Sequence, residues 1–358
     1  MLQNPIVMKK ILKRFIALRM ARSYLNREKT ITELERKHFN KSNPGFSDSL
    51  YFAGLTTKGF SLVTRMAFRN DKPDENWLKI SIPGEGVWGF ENYTGHEPAE
   101  DGLAGSNRFV QGQLEYICEE PGELWHVKYD GPVFQGKNKY QLHIDLYWHS
   151  LVPLADFDKT GIAYDKVAFQ IAREKWNKEF FRKVQEIHKV HYEQAGNITG
   201  TIRWKRKRHD VQMTGLRGHS YGKREWEEWG RNVWLSGMLD DGRYFHISIV
   251  DFSFIKNLKA GFIWNRKEYV TLAKTPSFGD LKLVEPMPKT LSFKIMEPGS
   301  VNPVPVRVTM GTFFTFMMDN VYFIRQSHAQ FEIGGVKGTG IAEMGINVKK
   351  YDVRILDV

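Results

Sequence analysis

The stretch Gly215–Asn232, GLRGHSYGKREWEEWGRN, crowds a histidine, arginines, glutamates and tryptophans between glycines. His219 and Glu225 are an imidazole and a carboxylate able to trade a proton near neutral pH, and Arg224 can hold a developing anion. Tyr221, Trp226 and the nearby Trp234 supply aromatic walls for an apolar ligand. The same side chains also suit a salt-bridged corner that closes a β-barrel. Residue types alone leave both readings open.

Other chemistries fit less well. A phosphate-binding loop needs G-x-x-x-x-G-K-[ST], but Gly218 to Gly222-Lys223 is one residue short and Arg224 stands where the hydroxyl belongs. GGVKGTGIAEMG lacks G-x-G-x-x-G and lies among strands, so neither nucleotide fingerprint is present. His188 and His191, or His246 and Asp251, come without H-E-x-x-H or C-x-x-C, and no metal site is expected. WKRKRHD, Trp204 to Asp210, suits a solvated hairpin tip as well as a phosphate contact.

The elements that must position these residues are strands. From Phe46 onward, short alternating segments such as DSLYFAGLT, NWLKISIPG and KYQLHIDLYWHS are divided by glycine, proline and charged turns. Such spacing predicts an antiparallel sheet curled into a barrel or sandwich. Between Ala163 and Gln194 the pattern changes: Phe169, Ala172, Trp176, Phe180, Val184, Ile187 and His191 form one stripe of a long helix, with Gly196 as its C-cap. Strands then resume, and Asp241-Gly242 marks a tight hairpin. The organisation expected is a basic helical segment (1–45), a first lobe (46–160), a linking helix (161–195) and a second lobe (196–358).

The net charge of +11 does not mark a nucleic-acid-binding face, because residues 1–27 carry seven of those charges with no acid. Val7, Ile11, Phe15 and Leu18 recur there at helical spacing. An amphipathic basic helix can dock on the protein body, touch an anionic membrane, or serve as a mitochondrial presequence. A single cysteine, Cys118 beside two glutamates, fits a buried structural thiol and a reducing compartment. The compartment expected is cytoplasmic, with a mitochondrial one as the alternative. Sequons at Asn40, Asn92 and Asn197 carry little weight without a signal peptide.

GLRGHSYGKREW, followed by NVWLSGMLDDGRYFHISIVD and GGVKGTGIAEMG, resembles the G-x-R-x-H-S-[WY]-G-x-R-[DE]-W core and Gly-rich Glu strand of the tandem-calycin proteins. That group includes hydroxyneurosporene-synthase-like and AttH-like proteins and some cofactor-free Diels–Alderases. HYEQAGNITGT and YFAGLTTKGFSLVTRMAFR resemble a region found beside phosphoenolpyruvate-synthase-like phosphotransferase domains, which are themselves missing from this sequence. The likeness runs from Phe46 to the C-terminus and is strongest from His188 to Asp251. It implies a mainly β chain of two lipocalin-like barrels holding a lipophilic small molecule, with no cofactor.

By position, His219, Arg224 and Trp226 match the motif, while Glu225 replaces a common aspartate and Tyr221 a common tryptophan. The resemblance gives His219, Arg224, Glu225 and the late-strand Glu343 as candidate catalytic groups. On the ligand-binding reading, Tyr221, Trp226, Trp234, Phe245 and His246 are expected to line the pocket. Hydration, isomerisation or cyclisation by acid–base chemistry is one functional reading. The other is a non-catalytic carrier, or an accessory module for a partner enzyme such as a phosphoenolpyruvate-synthase-like phosphotransferase.

Overall fold

The computed structural model describes residues 5–23, 29–40, 42–56, 59–94, 105–157, 159–160, 164–186, 190–281 and 288–351. The chain is mainly β, and it divides into two compact units, each built on one antiparallel sheet.

The first lobe comprises Lys29–Ala155 and Ile187–Arg224. Its strands are β1 (Phe46–Leu55), β2 (Ser61–Arg69), β3 (Asp74–Ile82), β4 (Gly86–Thr94), β5 (Arg108–Gln111), β6 (Leu114–Glu120), β7 (Leu124–Gln135) and β8 (Asn138–Ser150). After the two-residue β9 (Ala155–Asp156) come β10 (Val190–Trp204) and β11 (Lys207–Lys223). They run in the order β4-β3-β2-β1-β11-β10-β8-β7-β6-β5, and a Gly89–Phe134 pairing of β4 with β7 closes eight of them into a ring. Period-two alternation sends Leu50 and Phe52 of β1 and Leu114, Tyr116 and Cys118 of β6 into the core. Phe52, Phe109, Tyr116, Trp125 and Trp148 are fully buried there. A one-turn helix, α2 (Ile31–Leu34), precedes β1; Thr30 and Glu33 form a capping box at its start.

The second lobe gathers Met1–Glu28, Asp156–Glu186 and Glu225–Val358. Its strands are β12 (Trp229–Leu239), β13 (Tyr244–Phe252), β14 (Leu258–Trp264), β15 (Tyr269–Thr271), β16 (Thr290–Ile295), β17 (Val304–Met318), β18 (Tyr322–Ile333) and β19 (Val336–Asn347). The order is β15-β14-β13-β12-β19-β18-β17-β16. One face carries a continuous apolar core that includes Leu235, Phe245, Ile263, Phe293, Val308 and Phe331. The expected hairpin joins β12 to β13: Gly242 takes φ 83°, where a side chain is disfavoured, and its N–H donates to the Leu239 carbonyl at 2.9 Å. A short helix, α5 (Phe278–Leu281), adds Phe278 and Leu281 to that core.

Three expectations are corrected. The single helix over 161–195 is instead α3 (Tyr164–Arg173) and α4 (Lys178–Glu186), and Val190 onward is strand. Asn177 starts the second helix, its Oδ1 accepting from the Phe180 N–H at 2.7 Å. Phe180 and Val184 are buried as the stripe requires, but Phe169 is 43% exposed, and Ala168 and Ile171 take the inner positions of α3. Ile187 and His188 lie outside the described residues.

Secondly, β10 and β11 belong to the first lobe, so the chain passes to the second at 224/225 and not at 196. The cause is pairing: β11 lies against β1 and β10 against β8.

Thirdly, the basic segment α1 (Pro5–Ser23) packs on the second lobe through a face other than the one its spacing suggested. Ala17 is sealed and Lys13 Nζ donates to the Glu174 carbonyl at 2.8 Å, while Ile11 (53%) and Phe15 (67%) remain exposed. Residues 29–45 belong to the first lobe instead. Among the described residues, no helix is long and apolar enough to cross a membrane.

Candidate functional site

β11 turns Arg217, His219 and Tyr221 inward, and β1 turns Asp48 toward them, because Leu50 pairs with His219 across an antiparallel register. His219 Nε2 lies 2.5 Å from Asp48 Oδ1, and Nδ1 lies 2.6 Å from the Tyr192 hydroxyl. Tyr192 donates to the Leu34 carbonyl at 2.8 Å. A phenol has one proton to give, so with that proton on Leu34 it accepts from His219 Nδ1–H. Asp48 Oδ2 accepts the His38 backbone N–H at 2.6 Å. Asp48, Tyr192 and His219 are all 0% exposed.

A second buried charge pair stands beside this relay. Glu35, delivered by α2, receives Arg217 Nη1 at 2.9 Å and Trp125 Nε1 at 2.7 Å. Arg217 Nη2 donates to Gln194 Oε1 at 2.5 Å, and Gln194 Nε2 donates to the carbonyls of Gly122 and Val152. Burial raises the Glu35 carboxyl, but the Arg217 guanidinium and its hydrogen bond outweigh that and leave it below the usual carboxylate range. Burial, with Glu35 adding to it, holds the Tyr192 phenol well above its ordinary value. Burial likewise lowers the His38 imidazole to about 4 against the attraction of Asp48.

Tyr221 stacks on His38 with centroids 3.5 Å apart, and its hydroxyl accepts from Lys29 Nζ at 2.8 Å. Arg224, one residue past the end of β11, is tied back to that strand, Nη2 donating to Ser220 Oγ at 2.9 Å.

The remaining sequence candidates belong to the second lobe. Glu225 precedes the short 3-10 turn Trp226–Glu228. Trp226 stacks on Tyr322 at 5.2 Å; Tyr322 donates to Asn232 Oδ1 at 2.5 Å, and Asn232 Nδ2 donates to Glu343 Oε1 at 2.8 Å. Gln326 Nε2 donates to Glu343 Oε2 at 2.6 Å. Trp234 sits between Glu343 and Ser248 in the register, and its Nε1 donates to His246 Nδ1 at 3.1 Å. That bond makes Nδ1 an acceptor, so His246 Nε2 carries the hydrogen and donates it to Ser248 Oγ at 2.8 Å.

Trp226, Trp234, His246 and Glu343 are thus linked on the side opposite the apolar core. Phe245 faces the other way, into the core against Phe331. A carboxylate and an imidazole on one face have the functional groups for proton transfer. Those of the first lobe have them too, but without an exposed atom.

The core face of the second lobe has a further feature. At one end Val306, Val308, Phe331 and Ile333 are buried. Toward the other end Phe313, Thr315, Met317, Phe323, Arg325, Met344 and Ile346 share that face by register and are only partly covered. The Arg325 guanidinium lies over the Phe313 ring at 4.8 Å.

Sequence reasoning missed Asp48, Glu35, Tyr192, Arg217, Asn232, Gln326 and Arg325. One signal was available for several: a polar residue in an inward period-two series, such as Asp48 between Phe46 and Leu50, or Arg325 between Phe323 and Ser327.

The fold has known counterparts. A crystal structure from Nitrosomonas europaea, provisionally assigned as AttH, superposes with TM-score 0.57 at 12% identity, over 86% of this chain and 96% of that one. A crystal structure of CghA with Sch210972 superposes with TM-score 0.53 at 7% identity, over 85% and 89%. These likenesses are to the fold alone, and agree with two lipocalin-like β lobes. No curated protein matches the sequence. The chain does match a family known as a domain of unknown function, DUF7064, over residues 32–348, and it belongs to that family.

Proposed function

We propose that the chain binds a lipophilic small molecule on the core face of its second lobe and acts as a carrier. The observation that carries this reading is the unfinished apolar face: Phe313, Met317, Phe323, Met344 and Ile346 continue the core but stay partly exposed. Covering them with an apolar ligand gains about 25 cal/mol for each Å² removed from water. CghA, of similar fold, has been crystallised with Sch210972, which supports ligand binding by a fold of this kind. The sealing of His219, with both ring nitrogens engaged, favours scaffold over catalysis for that residue.

The test is native mass spectrometry of the purified chain, followed by titration with the neutral fluorophore N-phenyl-1-naphthylamine. The expected result is a co-purifying apolar molecule or saturable uptake of the fluorophore, weakened in a Phe313→Asp, Met344→Asp variant. A ligand-free protein that takes up no fluorophore ends the reading. The acid–base alternative, resting on Glu343 and His246, requires a recovered ligand to change mass during incubation with the protein.

A specific observation favours membrane contact as a second reading. Ile11 (53%), Leu12 (57%) and Phe15 (67%) stay exposed on α1, among basic residues and no acid. An apolar strip with a cationic border suits the surface of an anionic bilayer, from which a carrier would collect a lipid-soluble ligand. The full chain should float with phosphatidylserine-containing vesicles and lose that on Leu12→Glu, Phe15→Glu substitution. Equal flotation of both proteins removes the assignment.

A further inference from the structure

Along β18 the residues facing the core are Phe323, Arg325, Ser327, Ala329, Phe331 and Ile333, and Arg325 is the only charge among them. Across the register it meets Thr315 of β17 and Met344 of β19, neither of which can neutralise it. Its Nε is buried with no hydrogen-bond partner, and no acidic group among the described residues pairs with its guanidinium. Other arginines drawn inward are matched: Arg217 by Glu35, Arg65 and Arg69 by Glu75, and Arg231, on this same face, by Asp251. Guanidinium cannot shed its proton in a protein, so Arg325 remains a cation set in apolar surroundings with unused donors.

Resting on the carrier reading above, we infer that the ligand is a lipophilic oxyanion, with Arg325 receiving its head and Phe313, Met317, Phe323, Met344 and Ile346 receiving its apolar chain. Carboxylates and phosphate monoesters share the chemistry that a guanidinium fork recognises. The cation–π contact with Phe313 helps hold the fork in place before the ligand arrives, which reduces the ordering cost of binding.

The full chain is titrated with cis-parinaric acid and with its methyl ester, followed by fluorescence. Wild type is expected to prefer the acid by about tenfold or more, since a charge-assisted pair is lost in the ester. Arg325→Gln should lower acid binding to the ester's level and leave ester binding unchanged, and Arg325→Lys should recover part of the preference. Competition by dodecanoate against dodecyl phosphate identifies the head group, and displacement by neither overturns the inference. Equal binding of acid and ester by wild type overturns it too, a result that needs no variant to fold. So does an Arg325→Gln variant that loses both probes alike. If the ester binds without preference for the acid, only the oxyanion is wrong. If neither probe nor the neutral fluorophore binds, the carrier reading falls as well.

Discussion

His219 Nε2 and Asp48 Oδ1 meet at 2.5 Å with neither side chain reaching solvent. The arrangement matches the carboxylate–imidazole half of a proton relay, but the third position is Tyr192, itself buried and committed to the Leu34 carbonyl. Removing one member leaves the other charged or unsatisfied in a dry core. His219→Ala or Asp48→Ala should each cost about 3–5 kcal/mol, read as a shift in the urea midpoint. His219→Phe combined with Asp48→Leu should cost less than the two alanine variants together, because no orphaned charge remains. A double variant that costs as much as the sum of His219→Phe and Asp48→Leu made singly would show that the two groups do not act as a pair.

Acid sensitivity follows from His38. Burial lowers its folded-state pKa from 6.5 to about 4, with Asp48 raising it and His219 and Lys29 adding to the fall. The unfolded chain takes up a proton near pH 6.5 that the folded chain refuses until about pH 4. The associated stability is therefore complete above pH 6.5, declines between there and pH 4, and is flat below, a total of about 3 kcal/mol. His38→Phe keeps an aromatic ring on Tyr221 and should flatten that part of the profile. Urea midpoints at pH 7.5, 5.5 and 4.5 for both proteins measure it. An unchanged slope in the variant would place the acid sensitivity elsewhere.

How much of this was written in the sequence depended on range. Strand alternation is local, so the β segments and the Asp241-Gly242 hairpin were legible, and with them the mainly β class. Strand partners are not local. HYEQAGNITGTIRW has residues at helical spacing as well as strand formers, and only pairing with β8 and β11 decides for strand, which moved His191 and the lobe boundary. The candidate site was half visible for the same reason. Residue types singled out His219, but its partners Asp48 and Tyr192 lie 171 and 27 residues away and are brought to it by the sheet. Phe245 and His246 are sequence neighbours, and the two faces of one strand send them to opposite environments.

Cys118 offers a simple probe of the first-lobe core. Burial, together with the charge of Glu35, pushes its thiol up to about 12, and the side chain is 2% exposed. Thiolate is the reactive form, so the native protein should be nearly inert to Ellman's reagent at pH 8 and react with one equivalent once unfolded in urea. Glu35→Gln removes a nearby negative charge but also frees Arg217, and should hasten the native reaction by loosening the end of the barrel where α2 sits. A native thiol that reacts at the rate of a free one would mean that this core opens readily.

The glycine-rich late segment that could be mistaken for a nucleotide loop has a packing explanation. Gly340 of β19 lies opposite Gly237 of β12, and a Cβ added at Gly340 would fall on the Ser236 carbonyl and 2.5 Å from the Gly237 Cα. Both neighbours are backbone, so the clash cannot be relieved by a side-chain rotation. Gly340→Ala should cost about 1–3 kcal/mol through forced separation of two central strands. Gly279 in α5 provides the contrast: an added Cβ there meets only Ser277 Oγ at 3.7 Å, ordinary contact. Gly279→Ala should be neutral or stabilising by about 0.4–1 kcal/mol, since alanine restricts the unfolded chain more than glycine does. Thermal midpoints of the two variants against wild type decide the matter, and equal midpoints would mean that β12 and β19 are free to part at this position.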